Sequence, residues 1–184
     1  MNVDRESGWI ENVRRIASPN HDARPEGCEP VLIVIHGISL PPGRFGGSGI
    51  DELFCNRLDP EVHPYYAEIC HLKVSSHVLI ARDGALTQYV SFRDRAWHAG
   101  ESNYCGRTGC NDFSIGIELE GTDDQPYETA QYDSLAALIV ALRVAYGSLQ
   151  RAELVGHSDI APGRKTDPGP YFDWQRLDRL IASG

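Results

Sequence analysis

The chain is expected to fold as a single α/β domain over residues 1–184. Three stretches predict this: the continuous run Val31-Leu32-Ile33-Val34-Ile35, the alternating run at residues 114–120, and an amphipathic stretch at residues 129–146 closed by Gly147. A largely β-branched run without polar interruption suits a strand covered on both faces of a sheet. Apolar residues at Tyr132, Leu135, Ala136, Ile139, Leu142 and Tyr146 give a helix the stripe needed to cover such a sheet. A chain of 184 residues is long enough for one sizeable core.

The elements follow in order. Trp9, Ile10, Val13 and Ile16 fall at helical spacing before Ser18-Pro19, which predicts a short N-terminal helix, with coil continuing to residue 26. The strand at 31–35 ends directly in His36-Gly37, and a Pro/Gly-rich loop follows at 39–49. That loop is no phosphate cradle, because no Gly-Lys-Ser/Thr follows at the required spacing. Ile50, Leu53, Phe54 and Leu58 suggest a short helix, broken by Asp59-Pro60 and His63-Pro64. Residues 76–80 and 86–90, joined through Arg82-Asp83-Gly84, form the pattern of a hairpin. In the run at 114–120, Gly116, Glu118 and Glu120 share one strand face and Ile115, Ile117 and Leu119 the other. A short strand at 153–156 delivers His157, and Asp173, Trp174, Leu177 and Leu180 mark a closing helix within residues 171–184.

Composition narrows the function classes. A net charge of -9 argues against nucleic acid as a partner, since that affinity comes largely from Lys and Arg on phosphates. The longest apolar runs fall well short of the roughly 20 residues that cross a bilayer, so no membrane is expected. Residues 1–11 show no apolar run behind a basic start, which predicts a cytoplasmic protein. Five cysteines, an odd number without a Cys-x-x-Cys pair, fit neither a disulfide framework nor a thiolate metal site, and reduced thiols are expected. Nothing points to an obligate protein partner.

The stretch Gly156-His157-Ser158-Asp159-Ile160-Ala161-Pro162-Gly163-Arg164-Lys165-Thr166-Asp167-Pro168-Gly169-Pro170 is too rich in proline and glycine for a regular helix or central strand. By itself it suits either a surface turn with scattered charges or a stiff loop presenting polar groups. His36 and His157 each follow a short apolar strand, where ligand sites of α/β sheets gather. Together with Asp167 they make three ligands of the types and number that hold a catalytic zinc with one open position, and the imidazoles disfavour magnesium. His71 and His77 are expected to be structural.

In order and spacing, Val34-Ile35-His36, Trp97-His98-Ala99-Gly100, Ser114-Ile115-Gly116-Ile117-Glu118-Leu119-Glu120-Gly121, Gly156-His157 and Arg164-Lys165-Thr166-Asp167-Pro168-Gly169-Pro170 resemble the N-acetylmuramoyl-L-alanine amidases of the zinc amidase and peptidoglycan-recognition superfamily. The similarity runs from about Trp9 to Trp174. It implies a central mixed β-sheet flanked by α-helices, one Zn2+ per chain on His36, His157 and Asp167, and catalytic roles for Glu118 as proton carrier and Lys165 as oxyanion partner. It further implies substrate contacts from Arg164, Trp97, Ala99, Lys73 and Arg107. The implied substrate is an anhydro-muropeptide, cut in cell-wall recycling between the lactyl group of 1,6-anhydro-N-acetylmuramic acid and L-alanine. The alternatives are a non-catalytic peptidoglycan-binding module, which would lack part of the metal set, and an exported amidase acting on intact peptidoglycan. Gly37, Lys73 and Gly109 depart from the residues common at their positions, which bears on peptide contacts and not on the metal set.

Overall fold

The β-branched run becomes the centre of a six-stranded mixed sheet. In a computed structural model, which describes residues 1–183, the strands are β1 (Arg14–Arg15), β2 (Leu32–Ile38), β3 (Val78–Ile80), β4 (Leu86–Gln88), β5 (Ser114–Glu120) and β6 (Glu153–Gly156). They lie in the order β6-β2-β5-β3-β4-β1. β6, β2, β5 and β3 are mutually parallel, β4 turns back as the expected hairpin, and β1 runs parallel to β4. The helices are α1 (Gly49–Phe54), α2 (Pro64–Ile69), α3 (Thr129–Ala145), α4 (His157–Ile160) and α5 (Trp174–Ser183). Among the described residues no helix is long and apolar enough to cross a membrane.

Alternation along β2 and β5 divides the molecule. Ile33, Ile35, Ile115, Ile117 and Leu119 pack against Leu135, Leu138, Ile139 and Leu142 of α3 and Leu177 of α5. Burying each such side chain contributes about 1.5–3 kcal/mol, so this face carries much of the stability. On the other face Leu32 and Val34 meet Ala99, Phe113 and Ile160, while Leu79 and Tyr89 meet Leu53, Phe54 and Tyr66. Both faces are covered, and all seven residues of β5 are buried, including both glutamates.

The N-terminal helix is not formed. Trp9–Ile10 instead pairs antiparallel with Val3–Asp4, Asn12 takes a left-handed φ of 57°, and Arg14–Arg15 joins the sheet beside Thr87 and Gln88. A helix of about two turns is marginal alone, whereas the edge of β4 offers unpaired backbone groups. Ile16 N donates to Gln88 O at 3.0 Å, and Ile10 N to the buried Gln88 Oε1 at 2.7 Å. Pro64, expected only to break a helix, also begins one: it occupies the first turn of α2, and the His63 side chain accepts from Tyr65 N.

Gln131 ties α3 to the sheet. Its Nε2 donates to Ile80 O at 3.1 Å and Glu120 O at 3.0 Å, while its Oε1 accepts from Glu128 N at 3.0 Å and completes a capping box. Gln131→Leu keeps the volume and orphans these buried groups, so it is expected to lower unfolding stability by about 2–4 kcal/mol in a urea titration. A loss within error of zero would show that the polar bridge does not hold α3 in place.

Candidate metal centre and active site

Parallel register assembles the site. Glu118 of β5 lies directly beside His36 of β2, and Gly156 of β6 beside Ile35, so the next residue, His157, emerges alongside His36. Three neighbouring strands thus deliver a carboxylate and two imidazoles at their carboxyl ends. The loop after α4 returns Asp167 to the same point. Its carbonyl accepts from Ser158 N at 3.0 Å, and Tyr127 Oη donates to the adjoining Pro168 O at 3.0 Å. Gly37 makes room for that phenol, since a Cβ there would lie 2.3 Å from Tyr127 Oη.

His36 Nδ1, His157 Nδ1 and Asp167 Oδ2 form a triangle with sides of 3.0, 3.2 and 3.3 Å. Ligands about 2.0–2.1 Å from a tetrahedral zinc stand about 3.3 Å apart, so the triangle has the size such an ion requires. His157 Nε2 lies 3.3 Å from Ala99 O, which can only accept. That nitrogen therefore carries the proton and leaves Nδ1 bare toward the triangle. Among the described residues these three form the group of metal-ligating side chains able to share one ion. They open onto a cleft of about 440 Å³ that Glu118, Lys165 and His98 also line. Leu40, Leu53, Phe54, Tyr65, Ile69 and Val74 provide its apolar wall.

Residues 26–170 match the sequence profile described as N-acetylmuramoyl-L-alanine amidase. The chain belongs to that family. It is 56% identical over 177 residues to the 1,6-anhydro-N-acetylmuramyl-L-alanine amidase AmpD of Escherichia coli strain K12, covering 96% of each chain. A crystal structure of a selenomethionine derivative of AmpD superposes with a TM-score of 0.94 at 55% identity, covering 98% of this chain and 99% of that one. The E. coli amidase AmiD, solved with anhydro-N-acetylmuramic acid-L-Ala-D-γ-Glu-L-Lys, superposes with a TM-score of 0.59 at 31% identity, covering 97% of this chain and 65% of that one. The mixed sheet flanked by helices is the architecture that the sequence resemblance implied.

The remaining expected site residues divide. Glu118 and Lys165 line this amidase's cleft, with Lys165 exposed and Glu118 buried. Ala99 is buried and contributes its carbonyl, which also accepts from Arg164 Nη2 at 2.6 Å. Arg164 further donates to Glu101 O at 2.6 Å and so clamps the loop backbone rather than facing the cleft. Trp97 Nε1 donates to Asp22 at 3.2 Å, outside the cleft lining. Arg107 lies 3.8 Å over the Phe113 ring, and Lys73 is exposed between the cleft-lining Leu72 and Val74. The structure thus gathers five of the expected residues around the metal triangle, Ala99 beneath it, and does not bring the four larger side chains there. Glu120, on the same strand face as Glu118, anchors loops: it accepts from Gly46 N at 2.5 Å and Arg82 N at 3.3 Å. His98 stands out as unanticipated, with Nδ1 2.9 Å from His36 Nε2. Its one sequence signal is a histidine between bulky Trp97 and small Ala99-Gly100.

Burial governs the electrostatics. It pushes the His36 imidazole down to about 4, so the ring is neutral at physiological pH. Asp167 is also pushed upward by burial, yet the His157 and His36 rings beside its Oδ2 outweigh this and hold it well below the usual carboxylate range. Glu118 is raised well above its ordinary 4.5 by burial, then by Asp167, against a smaller opposing effect of Lys165. Among the described residues its Oε2 has no hydrogen-bond partner.

A carboxyl whose folded pKa is raised costs stability once the unfolded chain ionises. In the metal-free protein Glu118→Gln is therefore expected to raise the thermal midpoint at pH 7, with the gain vanishing as pH falls below about 4.5. A midpoint that drops, or a gain that persists at low pH, would contradict the strained state assigned to this carboxyl.

Proposed function

We propose that the chain is a single zinc amidase domain over residues 1–184 that hydrolyses the amide between the lactyl group of 1,6-anhydro-N-acetylmuramic acid and L-alanine of muropeptides, a step of cell-wall recycling. The observation that carries this reading is the buried Glu118 Oε2, without a hydrogen-bond partner among the described residues, beside a triangle of three ligand atoms sized for one zinc. The substrate class is supported by the near-full-length likeness to amidases named for that bond. Five cysteines without a disulfide among the described residues suit a reducing, cytoplasmic setting.

His36, His157 and Asp167 would hold the ion. A zinc bound there supplies Lewis acidity toward the amide carbonyl and a water that ionises near pH 7. Glu118 Oε2, free of other partners, takes the proton of the attacking water and returns it to the departing nitrogen of L-alanine. Its raised pKa, set by burial, keeps the carboxyl basic enough for both transfers. The exposed Lys165 ammonium, on the cleft lining, offsets the negative charge that develops on the carbonyl oxygen. The apolar wall contributed by β2, α1, α2 and the loops around them holds the non-reacting part of the substrate and excludes water from the centre.

Elemental analysis is expected to give one zinc per chain, lost in His157→Ala and retained in Glu118→Ala together with loss of turnover. Lys165→Ala should retain zinc and lower kcat by about 10²–10³. Zinc-loaded protein incubated with anhydro-muropeptide should release the anhydro-sugar and free peptide by mass. Cleavage of intact sacculi alone would overturn the substrate assignment, and full turnover without zinc would overturn the metal's role.

A further inference from the structure

A zinc held by the triangle would use His36 only through Nδ1, which leaves the opposite ring nitrogen to be explained. His36 Nε2 lies 2.9 Å from His98 Nδ1, and His98 Nε2 lies 3.1 Å from Ser114 Oγ. Ser114 Oγ in turn donates to Cys110 O at 2.6 Å. His36, His98 and Ser114 are all buried, so no solvent competes for these contacts.

Directions of donation follow from the far end. A backbone carbonyl can only accept, and the 2.6 Å contact commits the Ser114 proton to Cys110 O. Ser114 Oγ then accepts from His98 Nε2–H, which leaves His98 Nδ1 bare. His98 Nδ1 accepts from His36 Nε2–H, and His36 Nδ1 is left bare toward Asp167 and His157. The backbone of β5 makes the space: a Cβ on Gly116 would lie 2.4 Å from the His98 ring.

We propose that His98, held by Ser114 and accommodated by Gly116, is the positioning residue that sets the tautomer and ring orientation of the metal ligand His36. This rests on the zinc reading of the site. His98 lies outside the metal triangle and acts through His36, as groups behind metal-bound imidazoles do. The opposite polarity, with Ser114 donating to His98 and His36 protonated at Nδ1, would leave Cys110 O without its short hydrogen bond and put a proton where the ion belongs.

Two readouts test this. In the metal-free protein, long-range ¹H–¹⁵N spectra near neutral pH should show His36 protonated at Nε2 and His98 at Nε2. His36 protonated at Nδ1 would overturn the proposal whether or not the chain binds zinc. Zinc affinity, measured by chelator competition, should weaken about 10–100-fold in His98→Leu, which removes the acceptor. His98→Asn, whose Oδ1 can take the place of Nδ1, should restore much of that loss. Ser114→Ala should weaken zinc in the same direction while the metal-free protein stays folded, which keeps the test decisive if the leucine variant fails to fold. Wild-type zinc affinity in Ser114→Ala, or equal losses in the Leu and Asn variants, would show that His98 only fills space. Failure of wild-type protein to bind zinc at all would instead strike the functional reading itself.

Discussion

Two buried imidazole nitrogens, His36 Nδ1 and His157 Nδ1, and the half-buried Asp167 Oδ2, all with unshared electron pairs, stand within 3.3 Å of one another. Such a cluster is unfavourable unless a positive charge sits among it. Much of the molecule serves to maintain it. Parallel register between β6, β2 and β5 sets the lateral spacing, and the loop after α4 is pinned through Ser158 and Tyr127 so that the carboxylate returns to the same point. Each ligand histidine is occupied on its far side, one by Ala99 O and the other by His98. Removing water makes the cluster costly and is also what gives the centre its reactivity.

The two faces of the sheet divide this task. The face under α3 and α5 is close-packed aliphatic and aromatic surface, and it provides stability against which a strained carboxyl such as Glu118 can be tolerated. The opposite face gives up aliphatic packing at Gly116, Glu118 and His36 and fills the space with histidines. Glu120, the other carboxylate on that face, shows how differently two residues of one strand can be used. It is satisfied by the amides of Gly46 and Arg82 and so fixes the loops beside the cleft, whereas Glu118 keeps one oxygen free.

Much of this was legible in the sequence, for physical reasons. A continuous β-branched run can hardly avoid a buried strand, and a histidine at its carboxyl end has only the sheet's edge to occupy. The helix at 129–146 announces itself through its stripe and Gly147. The proline-rich loop after His157 is stiff enough that its chemistry survives folding. The N-terminal segment misled because its helical spacing spans too few residues to outweigh the backbone hydrogen bonds offered by β4. Arg164, Trp97 and Arg107 illustrate a different gap: residue type and position are visible in a sequence, but a guanidinium or indole can turn to carbonyls, a carboxylate or a ring nearby. Arg164 does so with Ala99 and Glu101, Trp97 with Asp22 and Arg107 with Phe113. His98 escaped notice because its partner Ser114 and its clearance at Gly116 lie 16 and 18 positions away and become neighbours only in the folded sheet.

X-ray absorption at the zinc edge of the loaded protein tests the central claim most directly, because it reads the atoms around the ion rather than the consequences of losing it. The triangle predicts a shell of nitrogen and oxygen at about 2.0–2.1 Å, with the outer-shell scattering of two imidazoles. A sulfur shell near 2.3 Å, or scattering without two imidazoles, would place the metal elsewhere in the chain and contradict the site built from His36, His157 and Asp167.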